Sequence, residues 1–199
     1  AGMYQGLYHE HPVRIPIAGS VDSIAPITPA LLFQCHRAFY SPANMVLVVC
    51  GTASFDSIVS IAQQYSPGEA AHIASRNYGA RRADVCPSEV VRTMAVSQPS
   101  FLLGFKDLPV QPGESRLRRQ LLGELCCRIL AGETSELYAS LYAGRLINRH
   151  FTNSYNLHPG AACAMFGGDS RDPRAARAQI EAAVHKLAAE GVEPALFAR

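Results

Sequence analysis

The fold prediction rests on the stretch Leu125–Tyr155, LCCRILAGETSELYASLYAGRLINRHFTNSY. The stretch begins within an amphipathic helix that stops at Gly132, and a second short helix is predicted over Ser135–Ala143. An alternating strand follows from about Arg149. We interpret Gly132 as the residue just after the helix end, in the left-handed conformation that glycine adopts without steric cost. Two helices followed by a return into a sheet predict a polar loop at the rim of a layered α+β domain.

The residues on both sides of this stretch continue the α+β pattern. Downstream, strands are predicted at about 149–157 and 161–167, joined around His158-Pro159-Gly160. Asp172-Pro173 then begins an alanine-rich helix, with aspartate as N-cap and proline at the first helical position. Upstream, a long helix over about 114–130 follows two strands, Glu89–Val96 and Ser100–Phe105. The pattern predicts a mixed, largely antiparallel sheet covered by helices.

The first third of the chain forms a separate region in this prediction. Thr28-Pro29 begins a helix, and Met45–Cys50 is a continuous apolar run typical of a strand that is buried on both faces. Residues 66–88 lose all periodicity and gather proline, glycine, serine and arginine, so we interpret them as a linker. The predicted organisation is therefore 1–65, the tail of a first α+β repeat; 66–88, a linker; and 89–199, most of a second repeat.

The run at 45–50 also supports a prediction about pairing. We expect it to join the sheet formed by 89–105 and 149–167, either within the chain or exchanged in a domain-swapped dimer, because an unpaired edge strand invites such exchange. The first eleven residues resemble the end of a helix without its beginning. We therefore expect the chain to be a piece of a longer protein.

Composition excludes several classes of protein. The chain has 199 residues and a formal net charge of +2, and no basic face of the kind that nucleic-acid binders carry stands out beyond the short basic segments 76–82 and 117–119. Its longest apolar run is far shorter than the roughly 20 residues that span a bilayer. Six cysteines without a C-x-x-C pair indicate a reducing, cytoplasmic setting. Cys126 and Cys127 are expected to be two thiols on different helix faces.

Three blocks of sequence carry a family resemblance. The first is His11-Pro12 followed by the segment up to Tyr40, the second is Ser41-Pro42-Ala43-Asn44-Met45-Val46-Leu47-Val48-Val49-Cys50-Gly51, and the third is Leu130-Ala131-Gly132-Glu133-Thr134-Ser135-Glu136-Leu137-Tyr138. In this order and spacing they resemble the inactive or C-terminal domain of bacterial pitrilysin/insulinase-type (M16) zinc metallopeptidases. The resemblance implies a half domain like that of the mitochondrial processing peptidase.

The resemblance does not extend to a catalytic centre. The family uses an inverted zinc motif, H-x-x-E-H, whose glutamate acts as general base on a zinc-bound water. The chain contains no such motif. His9-Glu10-His11 is not equivalent, because residues two apart lie on different sides of a helix, and we interpret it as a surface or loop-anchoring segment. The chain alone is therefore predicted to be inactive and to hold no cofactor, with zinc expected in the parent protein or its partner.

The resemblance does imply a loop that faces the substrate. Active members present an arginine and a tyrosine to the bound peptide, and the alignment places Tyr142 and about Asn148 at those positions, so neither residue is retained. Arg145 or Arg149 could replace the arginine only after a shift in register. Some non-catalytic partners carry a glycine-rich loop where this chain has Gly132, Glu133 and Thr134. The candidate substrate-facing residues are Gly132, Glu133, Thr134, Tyr142, Arg145 and Asn148.

Two functions remain open at this point. The chain is either the non-zinc-binding domain of a metallopeptidase, forming part of a peptide-binding chamber and an assembly surface, or a non-catalytic partner subunit that has lost activity. The partners that both readings imply are the rest of the parent chain, a homologous subunit and a peptide substrate. Neither reading involves a nucleic acid or a membrane.

Overall fold

The chain folds into two compact units in a computed structural model that describes residues 2–65, 75, 77–79, 84–86, 89–108, 110 and 113–193. One unit combines Ala1–Pro16 with Tyr78–Arg199, and the other is Ile17–Asn77. The predicted linker 66–88 lies mostly outside the described residues. The assignment of the two flanking regions to successive repeats stays a prediction.

An antiparallel sheet organises the larger unit. Its three strands are β1 (Ser100–Asp107), β2 (Thr152–His158) and β3 (Ala161–Asp169), in the order β1-β3-β2. The turn between β2 and β3 contains Gly160 at φ +79°, a conformation that glycine adopts without steric cost. The hairpin predicted around His158-Pro159-Gly160 is thus confirmed, and so is the α+β class, with a sheet that is antiparallel throughout its described part.

Three helices cover one face of this sheet: α5 (Arg116–Ala131), α6 (Glu136–Ala143) and α7 (Pro173–Glu190). Each begins at a side-chain cap, since Ser115, Ser135 and Asp172 accept hydrogen bonds from the backbone N–H three residues later. Between helices and sheet lies one hydrophobic core, whose fully buried members include Leu141, Phe166, Ala176 and Ile180.

The central strand β3 is buried on both faces. Ala162 and Phe166 belong to the core under the three helices, whereas Ala161 and Cys163 pack against α1 (Gly2–Leu7) on the opposite face. This alternation follows from the two-residue period of a strand. Just after α1, the Tyr8 hydroxyl donates a hydrogen bond of 2.8 Å to the carbonyl oxygen of Ala162. The predicted sheet covered by helices is thus confirmed, and the structure adds that helices lie on both of its faces.

A polar cluster fastens the start of α5 to the sheet. Arg119 donates to both carboxylate oxygens of Asp107 at 2.9 Å, and it forms a second ion pair with Glu114 at 3.2 Å. The Tyr155 hydroxyl donates to Asp107 at 2.8 Å. Burial raises the pKa of Tyr155 to about 12, so the phenol stays protonated and keeps donating. The cluster connects β1, α5 and β2.

The smaller unit contains α2 (Val21–Ile24), α3 (Pro29–Phe39) and α4 (Phe55–Tyr65). The predicted helix start at Thr28-Pro29 is confirmed, because Thr28 Oγ1 accepts from the backbone N–H of Leu31 at 3.3 Å. None of the described helices has the length and apolar character needed to cross a bilayer.

Two predicted strands do not form. Neither Met45–Cys50 nor the described segment 89–96 is a strand, and the described sheet consists of β1, β2 and β3 alone. The prediction that 45–50 joins this sheet within the chain is therefore wrong. The physical reason is that a strand needs a neighbour to accept and donate its backbone hydrogen bonds. The apolar side chains remain outside any core, with Val46 88% and Val91 78% exposed.

The conformation predicted for Gly132 is also wrong. Its φ of −68° and ψ of 162° are extended rather than left-handed, although its N–H does close α5 by donating to Arg128. Glycine is required there because no space exists for a side chain: a Cβ atom would lie 2.5 Å from the carbonyl oxygen of Arg128. The left-handed helix end belongs to the next helix, at Arg145.

The six cysteines are free thiols that differ in exposure, with Cys86 half-buried between the exposed and the buried ones. Cys126 is exposed and Cys127 is buried, as predicted for adjacent residues on different helix faces. Burial raises the pKa of Cys127 to about 12 and that of Cys163 to about 11, so both are protonated and unreactive at neutral pH. Cys35 and Cys50, which the sequence places in apolar surroundings, are exposed, as are the neighbouring apolar side chains Leu32 and Val49.

Candidate functional site

The candidate site is a surface cleft of about 480 Å³ at the end of α6. Its volume is within the range of ligand-binding clefts. Three predicted substrate-facing residues line it together with four others, and the complete lining is Gln98, Tyr142, Ala143, Arg145, Ile147, Asn148 and Arg171. The chain positions these residues from three places: the segment before β1, the end of α6 together with the turn after it, and the turn before α7.

The turn after α6 fixes Arg145. The backbone N–H of Leu146 donates to the carbonyl of Leu141 at 2.9 Å, and that of Arg145 donates to Tyr142 at 3.0 Å. This pair of bonds is the Schellman motif, which needs a left-handed residue just after the helix and usually has glycine there. Here Arg145 takes that position at φ +55°, and it is the only described residue other than glycine with a positive φ. A left-handed conformation costs a residue with a Cβ roughly 1–2 kcal/mol.

Asn148 connects the cleft to a neighbouring carboxylate. Its Nδ2 donates to Asp169 Oδ2 at 3.2 Å, and its Oδ1 accepts from the backbone N–H of His150 at 2.8 Å. His150 Nδ1 lies 3.2 Å from the same oxygen of Asp169. The hydrogen bond from Asn148, and then that from His150, hold the pKa of Asp169 below its ordinary value. Asn148 therefore orients a charged carboxylate beside the cleft.

Replacing Asn148 should change the titration of Asp169. Because the lowered pKa favours the charged form in the fold, this stabilisation is present above the ordinary aspartate pKa and is lost as the pH falls through the lowered value. In Asn148→Ala we expect the pKa of Asp169 to rise toward its ordinary value, measured by NMR titration of the carboxyl carbon. His150→Ala, the matched control, should raise it less. A larger shift in His150→Ala would contradict the assignment.

The remaining walls of the cleft are firmly held. The ring of Tyr142 stacks on Tyr138, with centroids 6.0 Å apart and planes within 9°, and leaves 46% of the residue exposed. Ile147 is buried beneath the turn. Arg171 follows Ser170, whose fully buried position is fixed by a backbone hydrogen bond of 2.9 Å to Pro99. An aromatic face and two exposed arginine residues thus border the cleft.

The other three predicted residues lie elsewhere. Gly132, Glu133 and Thr134 form the turn between α5 and α6, and the last two are exposed. The first six residues of α6, 136–141, separate this turn from the cleft lining, a length of roughly 9 Å at 1.5 Å per residue. The six candidates therefore divide into two groups at opposite ends of α6. Gln98 and Arg171 were missed because no local pattern connects them to this turn.

In the segment His9-Glu10-His11, the second histidine has a structural role. The ring of His11 is buried, with Nε2 2.9 Å from the carbonyl oxygen of Pro159 and Nδ1 accepting from the backbone N–H of Val13. The interpretation of this segment as a loop anchor is confirmed for His11. No group of three or more histidine, cysteine, aspartate or glutamate side chains among the described residues could hold a metal ion.

Comparison with known proteins identifies the family. Residues 26–199 match the domain described as the peptidase M16 inactive domain. The chain belongs to the M16 peptidase family. The predicted family is thereby confirmed, together with the region within it.

Relatives within the M16 family share both sequence and fold. The chain is 33% identical over 179 residues to the uncharacterized zinc protease YmfH of Bacillus subtilis, covering 86% of this chain and 41% of YmfH. It is 27% identical over 143 residues to the uncharacterized zinc protease ML0855 of Mycobacterium leprae, covering 68% of this chain and 30% of ML0855. The crystal structure of an M16-like peptidase from Alicyclobacillus acidocaldarius superimposes with a TM-score of 0.87 at 28% identity, over 100% of this chain and 48% of that one.

The chain thus spans less than half the length of these relatives. Two of them are named zinc proteases. Among the described residues of this chain, both ring nitrogens of His11 are engaged, and no group of three or more candidate ligands was found that could hold a metal ion. What this M16 domain offers chemically is a set of hydrogen-bond donors, two cations and one aromatic face around a cleft.

Proposed function

We propose that this chain is the non-catalytic, peptide-binding domain of a longer M16 protein, in which it forms part of the wall of a peptide chamber. The observation that carries the proposal is the cleft at the end of α6, where Tyr142, Arg145 and Asn148 converge. These residues lie in the segment that the family resemblance implies for substrate contact. Zinc and the catalytic groups belong, in this proposal, to another part of the protein or to a homologous partner subunit in the cytoplasm.

The cleft is suited to hold an extended peptide rather than to cut it. A flat aromatic ring, amides and guanidinium groups can all bind peptide groups by packing and hydrogen bonding. Arg145 and Arg171 are permanently charged donors, and neither can act as a general base or as a nucleophile. The described part of the cleft lining contains no histidine, carboxylate, cysteine or serine. Its contribution to hydrolysis is therefore binding and orientation.

The test uses peptide hydrolysis by the full-length protein. In Tyr142→Ala we expect KM to rise about five- to tenfold with kcat nearly unchanged, because an interaction made equally in the ground state and the transition state affects binding only. Tyr65→Ala, which removes an exposed tyrosine outside the cleft, should leave both constants unchanged. An unchanged KM in Tyr142→Ala would contradict the proposed contact.

The second candidate is a partner subunit without activity. It is favoured by one observation, the replacement of both family substrate-contacting residues by Tyr142 and Asn148. Hydrolysis that is abolished by a chelator and restored by zinc supports the peptidase domain. The absence of hydrolysis in the full-length protein, with and without a homologous partner subunit, supports the partner subunit without activity. A domain-swapped dimer, the remaining assembly proposal, predicts a mass twice that of the protomer in light scattering.

A further inference from the structure

We propose that Arg145 and Arg171 form a carboxylate-binding site in the cleft, which selects peptides carrying an acidic group. This inference rests on the proposed peptide-binding function and specifies its substrate class. The two arginines reach the cleft from different elements, one from the turn after α6 and the other from the turn before α7. Arginine presents a planar set of donors that matches the two oxygens of a carboxylate.

The charge around the cleft favours an anion. Neither guanidinium forms an ion pair or a hydrogen bond with any other residue that the structure describes. The nearby carboxylates already have other partners. Asp169 accepts from Asn148 and lies beside His150, and Asp172 accepts from the backbone N–H of Ala175 at the start of α7. The positive charge of the two arginines is therefore available to a ligand.

The position of Arg145 supports a functional role. The Schellman motif that closes α6 is most stable with glycine, and Arg145 holds the left-handed conformation at a steric cost. The motif anchors the Arg145 backbone through bonds on both sides, so the side chain starts from a defined point on the rim of the cleft. An arginine at a position where glycine is more stable is expected where its side chain binds something.

The other lining residues define what can carry the carboxylate. The exposed face of Tyr142 provides a surface for an apolar or extended portion of a peptide. Gln98 lines the same cleft as the two arginines. A volume of about 480 Å³ is within the range of clefts that bind a small ligand, and it admits a short length of extended peptide. The carboxylate therefore belongs either to an aspartate or glutamate side chain or to the C-terminus of the peptide.

The experiment measures the affinity of the full-length protein for fluorescent peptides by anisotropy. Three peptides share one sequence: one with a central glutamate and a free C-terminus, one with glutamine instead, and one with an amidated C-terminus. We expect the first to bind about tenfold more tightly than the peptide that lacks the recognised carboxylate, consistent with a charge-assisted hydrogen bond. The difference should shrink as the salt concentration rises.

Variants assign this preference to the two arginines. Arg145→Gly and Arg171→Gln should each reduce the preference, and the double variant should abolish it. Arg145→Gly should also raise the melting temperature, because glycine relieves the left-handed strain, so its effect on binding cannot result from unfolding. The control Arg128→Gln removes the same charge from an exposed position on α5 and should preserve the preference.

Each outcome has a distinct meaning. Preference for a side-chain or C-terminal carboxylate that disappears in the double variant supports the site and identifies the carboxylate. Equal binding of all three peptides overturns the carboxylate site but leaves the peptide-binding function standing. A preference that survives in the double variant places the site elsewhere and also overturns the inference. If no peptide binds, both the inference and the proposed function fail.

Discussion

Phe166→Ala is expected to reduce the free energy of unfolding by about 3–5 kcal/mol, the cost of truncating a buried phenylalanine. Phe166 lies at the centre of β3 with 2% of its surface exposed, and its ring meets that of Phe105 edge-on at 5.8 Å. The cavity would open between the sheet and the three helices that cover it. Because domains are stable by only about 5–15 kcal/mol, this single change removes a large part of the total. Urea denaturation followed by circular dichroism measures it.

The control for this prediction is a large apolar residue outside the core. Leu117 on α5 is 68% exposed, so Leu117→Ala should change the free energy of unfolding by less than about 0.5 kcal/mol. Phe166→Leu, which keeps most of the volume, should fall between the two. Similar losses of unfolding free energy in Leu117→Ala and Phe166→Ala would contradict the position of the core between the sheet and the helices.

Gly123→Ala is expected to destabilise the chain by about 2 kcal/mol, although alanine is the better helix former. A Cβ on Gly123 would lie 2.3 Å from Cγ of Tyr155, so α5 can approach β2 only without that atom. Tyr155 cannot easily move, because its hydroxyl donates to Asp107. The gain in helix propensity is at most about 1 kcal/mol, whereas overpacking costs about 1–3 kcal/mol or occasionally more. The loss from overpacking therefore exceeds the gain in helix propensity, and the substitution is destabilising.

A double-mutant cycle tests this explanation. In a Tyr155→Ala background the space is open, and Gly123→Ala should become neutral or stabilising. Cys126→Ala, an exposed substitution on the same helix, should have little effect in either background. A stabilising Gly123→Ala in the wild-type chain would mean that the helix does not pack this closely on Tyr155.

Most helices of this M16 domain could be predicted because their signals are local. Thr28 and Asp172 cap helices as expected, and Ser135, predicted as the first residue of its helix, is the residue that caps it; each of these hydrogen bonds spans three residues. The hairpin at Gly160 is equally local, since a turn needs only its own residues. Elements whose stabilising residues are close together in the sequence can therefore be predicted from it.

The failures share a different cause. Met45–Cys50 and 89–96 have strand composition, but a strand requires hydrogen bonds to a neighbour that the pattern of the run itself does not specify. The place of Gly132 after a helix predicts a left-handed conformation, but the residue is extended. Glycine is needed there because a side chain would meet the carbonyl oxygen of Arg128. That conformation occurs instead at Arg145, where a residue with a Cβ gives no signal of it in the sequence.

The candidate site was predictable in part for the same reason. Tyr142, Arg145 and Asn148 follow one another along the chain, so a resemblance over this segment found all three. Arg171 and Gln98 complete the cleft only through the fold of β3 and β1, which brings distant turns together. Glu133 and Thr134 are close to the cleft in sequence but lie at the other end of α6.

The central claim, that this M16 domain holds a peptide in the cleft at the end of α6, is tested most directly by photo-crosslinking. A peptide carrying a benzophenone group is bound to the full-length protein and irradiated, and mass spectrometry locates the attached residues. We predict attachment within 142–148 and at Arg171, and its loss when unlabelled peptide competes. Competed attachment confined to other parts of the protein, with none in the cleft, would contradict the account.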